Sequence, residues 1–276
     1  MQSLTLDSTQ ELRILLADDS AVNQRIGLGL LDKLGYLADA VSDGMEVFVA
    51  LECIRYHVIL MDCEMPKLDG YETTRRIREL EQKRTAPFDR ATPIHIIAMT
   101  AHAIEGDREK CLAAGMNDYL CKPVRRNELE TALKTLLQID SLPAVTSHSD
   151  TISTEVPGSA EVMVDIERLR DVTDDDPARM QRLIELYLTQ TAPLLEQLEA
   201  AIRANSGTNV ASLAHKIIGS SVSCGVVAFT APLRQLERLG HAGDLSGASA
   251  LLQEIQGKFP RVQSAFAKMV KTLQPA

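Results

Sequence analysis

Val58-Ile59-Leu60-Met61-Asp62-Cys63-Glu64-Met65-Pro66 decides the fold. Four apolar residues run without a break into a carboxylate, and Pro66 and Asp69-Gly70 follow at once. A short unbroken apolar run closed by turn signals predicts a strand buried on both faces. Its carboxylate then falls at the strand's C-terminal end, the edge at which open α/β sheets hold ligands.

Working outward, the same grammar repeats. Leu12 to Ala17 is a strand candidate that ends in Asp18-Asp19-Ser20. Apolar residues at 22, 26, 30 and 34 predict a helix, with Ser20 placed to cap it and Gly35 to stop it. Tyr36 to Val41 reads as a strand, and Ser42-Asp43-Gly44 opens a helix to about Ile54. A helix follows Asp69-Gly70 as far as Lys83. A strand over 94–98 runs into Met99-Thr100-Ala101, and a helix spans 103–114. Asp118 to Cys121 is a short strand closed by Lys122-Pro123, and Arg126 to Leu137 is a helix. Five strands alternating with five helices predict an α/β unit over 12–138: a parallel sheet covered on both faces.

Residues 1–11 read as a disordered lead-in and residues 139–161, rich in Ser, Thr and Pro, as a flexible linker. Residues 162–276 then read as a second, all-α helical-bundle domain. Its helices are expected from Pro177, from Val210 to Ser223, from Ala228 to Leu239 and from Ser246 to Leu273. Pro193 should kink or interrupt the first of these and Pro260 kink the last.

Composition narrows the classes. The chain has 276 residues, enough for about two domains. A net charge of −9 and the lack of a basic patch argue against nucleic-acid binding. No apolar run reaches the ~20 residues of a membrane span, so no direct membrane insertion is expected. The first residues lack the pattern of a signal peptide. Five scattered cysteines without a C-x-x-C pair suit reduced thiols, and a cytoplasmic location is expected. No G-x-x-x-x-G-K-[ST] or G-x-G-x-x-G loop is present, so the chain is not expected to phosphorylate itself from ATP.

Four of the five strand ends carry polar residues: Asp18-Asp19, Asp62, Thr100 and Lys122. In a parallel sheet they share one edge. Carboxylates packed together repel, and a divalent cation relieves this; an all-oxygen set suits Mg²⁺. Phosphoryl transfer needs such neutralisation and an in-line nucleophile, a role Asp62 can fill. Lys122 supplies a second positive charge and the Thr100 hydroxyl a hydrogen bond. A haloacid-dehalogenase-like hydrolase needs a D-x-D-x-T/V run after the first strand, which Asp18-Asp19-Ser20-Ala21-Val22 lacks.

On Asp18-Asp19, the D-x-x-M-P run from Asp62 to Pro66, Asp69-Gly70, Thr100-Ala101 and Lys122-Pro123, residues 12–138 resemble the receiver domain of two-component response regulators. The resemblance implies a flavodoxin-like fold with strand order 2-1-3-4-5 and a cis peptide before Pro123. It implies phosphorylation of Asp62 by a histidine kinase. It implies Mg²⁺ held by Asp19, Asp62 and the Glu64 carbonyl, with Asp18 acting through water. It also implies that Tyr119, three residues before Lys122, is the switch aromatic that follows Thr100 inward.

In the helical half, His215 stands out among six histidines; His57, His95, His102, His148 and His241 have no companion pattern. His215 and Gly219 are four residues apart and share a helix face. A helical glycine beside an imidazole suggests exposure to an incoming macromolecule, and neutral imidazole can attack phosphorus. Ala214-His215, Gly219-Ser220-Ser221, Leu233 to Glu237 and Gly240 to Asp244 resemble a histidine phosphotransfer (HPt) domain, which implies that His215 carries phosphate. The family commonly has Lys three residues after the His. Here that position is Ile218, and the nearby Lys216 lies ~100° around the helix.

Together the two resemblances imply a two-component phosphorelay intermediate. An upstream histidine kinase would load Asp62, and His215 would pass phosphate to or from another response-regulator receiver. The alternative is a non-catalytic interaction module with a decayed phosphotransfer half. The tandem order resembles the C-terminal end of hybrid sensor histidine kinases, and Met1 equally allows a free-standing relay protein.

Overall fold

The computed structural model describes residues 12–89, 91–100, 105–139 and 163–273. The expected lead-in at 1–11 lies outside them, as does the expected linker from 140 onward. Ile139 closes a helix.

The first half contains β1 (Arg13–Ala17), α1 (Ala21–Lys33), β2 (Leu37–Val41), α2 (Gly44–Cys53), β3 (Val58–Asp62), α3 (Gly70–Gln82), β4 (His95–Thr100), α4 (Glu105–Ala114), β5 (Asp118–Cys121) and α5 (Arg126–Ile139). The strands form one parallel sheet in the order β2-β1-β3-β4-β5. β3 is central, and all five of its residues are buried, as a strand covered on both faces requires. Val58 and Leu60 pack with α1 and α5, Ile59 and Met61 with α2, α3 and α4. Three of the helix starts have a polar cap. Ser20 accepts from the Asn23 N–H, Asp43 from Met45 and Glu46, and Asp69 from Glu72.

The second half contains α6 (Ile166–Thr173), α7 (Pro177–Arg203), α8 (Gly207–Ser223), α9 (Thr230–Ala242) and α10 (Ala248–Leu273). α7 to α10 form a four-helix bundle, with α6 packed on α7 and α8. At its centre the buried Tyr187 hydroxyl meets Ser221 Oγ at 2.9 Å, and its ring meets Phe266 edge-on. α6 escapes the pattern reading because it is two turns long. Asp165 caps it by accepting from the Arg168 N–H.

Pro193 does not interrupt α7, which runs through it. The carbonyl it leaves without a donor is that of Thr189, four residues back, and both residues are exposed, so water can serve it. The same holds for Pro260 and Gln256 within α10.

α8 and α9 cross on glycine. A Cβ at Gly240 would lie 2.6 Å from the Gly207 carbonyl oxygen and 2.6 Å from the Ala211 nitrogen. Only a bare backbone permits that approach, and it draws Glu237, one turn earlier on α9, against α8.

The two halves are packed together. The apolar core under α1 and α5 continues without a break into α6, α7 and α8. α1 is the element between them, and it contacts α6, α7 and α8. Lys33 at its C-terminal end pairs with Asp174 at the end of α6.

Candidate functional site

The parallel register sets the edge. Asp62 pairs with Met99 and Thr100 with Cys121, so β3, β4 and β5 end in step. Asp18 follows β1 and Lys122 follows β5. The Lys122-Pro123 peptide is cis. Lys122 Nζ lies 2.7 Å from Asp18 Oδ2 and 2.6 Å from Asp62 Oδ2. Asp18, Asp62 and Thr100 are all buried.

Asp18 is the best satisfied of the acids. Its Oδ1 accepts from the Ser20 N–H at 2.9 Å and from Asn23 Nδ2 at 3.2 Å, and its Oδ2 accepts from Lys122. Asp62 Oδ1 accepts one hydrogen bond, from the Glu64 N–H at 3.1 Å. Asp62 Oδ2 is ion-paired with Lys122 but takes no other donor, so this buried oxygen is under-satisfied. Burial and the neighbouring Asp18 outweigh the pull of Lys122, and together these leave the Asp62 carboxyl raised to about 7. Burial disfavours the charge on Lys122 too. The two carboxylates outweigh that and hold its pKa above the ordinary lysine value.

Asp18, Asp19 and Asp62 each place a carboxylate oxygen within 4.8 Å of the others. Two lysines, Lys122 on Asp18 and Asp62 and Lys216 on Asp19, still leave three acids short of one positive charge. The under-satisfied Oδ2 of Asp62 and the all-oxygen donor set therefore fit a hard divalent cation.

The helical half brings His215 to the same edge. Its Nδ1 lies 2.8 Å from Glu237 Oε1 on α9 and 3.2 Å from Glu64 Oε2 in the turn after β3. Burial works against the imidazolium. Glu237, Glu64 and Asp62 outweigh it, so the His215 pKa is raised overall. His215 is 9% exposed, against the expectation of an open imidazole, because the sheet half covers it. Lys122, Pro123, His215, Ile218, Gly219 and Arg234 line one cavity between the halves. Lys122 thus faces the same space as the histidine.

Three polar contacts join the halves around this cavity. Lys216 Nζ reaches the Asp19 carbonyl oxygen and Oδ2. Ser223 Oγ donates to Asn23 Oδ1 at 2.9 Å, and Asn23 donates in turn to Asp18. Glu64 meets His215. Gly219 helps this fit, since a Cβ there would touch Asn23 Nδ2 at 3.4 Å.

Every residue singled out at the strand ends lies at this edge. Tyr119 sits on β5, partly buried against the α2–α4 side of the core. Ile218, where a lysine is common, is a buried apolar wall of the cavity. Sequence reasoning missed Asn23 and Ser223 and gave Glu237 no role beyond its place in the HPt-like stretch, since nothing in their spacing announces a partner in another element. His241 was set aside, yet it lies one turn beyond Glu237, and ligand atoms of Glu64, Glu237 and His241 are within 4.8 Å of one another.

Comparison with known proteins agrees with this division. The family described as "Response regulator receiver domain" matches residues 14–134, and the family described as "Hpt domain" matches residues 182–273. The "Sensor histidine kinase GacS" of Pseudomonas protegens is 28% identical over 88% of this chain, which spans 26% of that protein. The "Sensor protein EvgS" of Escherichia coli is 30% identical over 80% of this chain, which spans 16% of that protein. Among solved structures, the receiver domain of sensor histidine kinase PA1611 from Pseudomonas aeruginosa PAO1, with a magnesium ion in its active-site cleft, is 47% identical. It covers 45% of this chain and 95% of its own, with a TM-score of 0.39. Among the described residues, no helix is long and apolar enough to cross a membrane.

Proposed function

This chain is a response regulator receiver domain followed by an Hpt domain, and on that premise we propose that it is a phosphorelay intermediate, cytoplasmic, with working limits of 12–138 and 162–276 for its two domains. An upstream histidine kinase supplies a phosphohistidine. A carboxylate oxygen of Asp62 attacks the phosphorus, the P–N bond breaks, and its electron pair returns to the donor imidazole. Lys122 balances charge on the phosphoryl oxygens and the Thr100 hydroxyl bonds one of them. Asp18, Asp19, Asp62 and the Glu64 carbonyl are the residues to hold Mg²⁺, which supplies further neutralisation of those oxygens when bound. Tyr119 is the aromatic that turns inward behind Thr100 once Asp62 is phosphorylated.

The second transfer uses His215. Glu237 accepts from Nδ1–H and so leaves the Nε2 lone pair free to attack. A P–N bond forms at Nε2, the P–O bond to Asp62 breaks, and its electron pair restores the carboxylate. From His215 the group passes to, or arrives from, a receiver on another protein.

The observation that carries this reading is the cavity shared by Lys122 and His215, with Glu64, two residues beyond Asp62, in contact with the imidazole. The experiment is radiolabel transfer from acetyl phosphate with Mg²⁺. The parent chain is expected to gain both acyl-phosphate and alkali-stable phosphohistidine label. His215→Gln should keep only the first, and Asp62→Asn should lose both. Label of either kind that survives Asp62→Asn unchanged overturns the proposed order, and a parent that never gains alkali-stable label overturns the role of His215.

A further inference from the structure

A phosphoryl group on His215 brings close to two negative charges into a cavity that already holds the Glu237 carboxylate. The group needs a cation that stays with the Hpt domain. Lys122 belongs to the receiver and is engaged by Asp18 and Asp62. Lys216 points to the receiver's Asp19. Position 218 is a buried isoleucine.

One cation remains. Arg234 lies three residues before Glu237 on α9, so the two share a helix face. It lines the same cavity as His215, and among the described residues it is committed to no ion pair. We propose that Arg234 is the residue that holds the phosphoryl group on His215 of this chain, across the cavity from the helix where its relatives commonly carry a lysine. This rests on the relay reading above.

A guanidinium suits the task better than an ammonium. Its planar N–H donors can bond two phosphoryl oxygens at once. No proton moves and no bond to Arg234 forms. During transfer from Asp62, the P–O bond breaks and the P–N bond forms in a space lined by Lys122 on the receiver and Arg234 on α9. When the domains part, Lys122 leaves with the receiver and Arg234 stays on the domain that carries His215.

The test loads His215 directly. The full chain carrying Asp62→Asn is treated with phosphoramidate, and decay of phosphohistidine is followed by ³¹P NMR. Arg234→Gln is expected to shorten the phosphohistidine lifetime about tenfold, the effect of losing a charge-assisted hydrogen bond. Arg234→Lys should fall between, and Ile218→Lys added to Arg234→Gln should restore the lifetime. A lifetime unchanged by Arg234→Gln overturns this assignment alone. A shortened lifetime that Ile218→Lys leaves unrestored also overturns it, because the effect is then not one of charge. A parent that never forms phosphohistidine overturns the relay reading with it.

Discussion

Lys216 Nζ, on the helix that carries His215, donates to the Asp19 carbonyl oxygen at 2.7 Å and to Asp19 Oδ2 at 2.9 Å. The Hpt domain therefore grips the receiver at one of its clustered acids, one residue from the histidine. The pair is partly shielded, with the Asp19 side chain 11% exposed. Partly shielded surface pairs contribute on the order of 1 kcal/mol. Lys216→Ala is expected to slow transfer from Asp62 to His215 about fivefold in single-turnover labelling, with high salt narrowing the gap. Transfer at the parent rate at all salt concentrations would remove this contact from the transfer path.

Glu237 and His215 make a second test. Glu237→Gln keeps an oxygen to accept from Nδ1–H; Glu237→Leu does not. A hydrogen bond to a charged group contributes about 1.5–3 kcal/mol. Glu237→Leu should lower His215 labelling by at least about tenfold, with the glutamine variant much closer to the parent. Equal losses in the two variants would point to charge rather than to orientation of the ring.

Metal removal bears on the acid cluster. A ligand that binds only the folded state at about a hundred times its Kd adds about 2.7 kcal/mol of stability. Mg²⁺ is therefore expected to raise the receiver's unfolding temperature in calorimetry, and EDTA to reverse the rise. Asp62→Asn, which removes one oxygen donor, should abolish most of it. A variant that gains as much from Mg²⁺ as the parent would place the ion elsewhere.

Asp43 governs an acid transition at the start of α2. It is buried, which pushes its carboxyl up. Lys67 at 2.5 Å and the N–H groups of Met45 and Glu46 at 2.9 Å outweigh this and leave the pKa lowered. A folded-state pKa below the unfolded one means that the unfolded chain binds the proton more readily. The stabilisation is thus complete above the ordinary aspartate value of 3.8 and is lost as pH falls through the folded value. Asp43→Ala should lower stability by about 1–2 kcal/mol at neutral pH, with the gap closing in acid. Denaturant melts at several pH values measure it. A gap that does not change with pH would assign the effect to the backbone cap alone.

The sheet was legible because its signals are local. The run from Val58 to Asp62 reads as a central strand in any context, and strand ends with polar residues name their own edge. The N-caps Ser20, Asp43 and Asp69 lie where their residue types place them. The failures have the opposite cause. α6 is too short for periodicity, and Pro193 is harmless only because Thr189 faces water, which is a matter of tertiary position. Glu237 reaches His215 only because Gly207 and Gly240 let two helices touch, and no spacing along the chain reports that. The burial of His215 depends on the other domain.

The face of α1 can be covered only once. With Asn23 held by Ser223 and Asp19 by Lys216, the atoms that admit this chain's own histidine are closed to any other. On the proposed relay, loading of Asp62 from outside and discharge into His215 then exclude each other in time, as the two doors of an airlock do. The stability of that small seam, more than the chemistry on either side, sets how often the inner door gives way to the outer one.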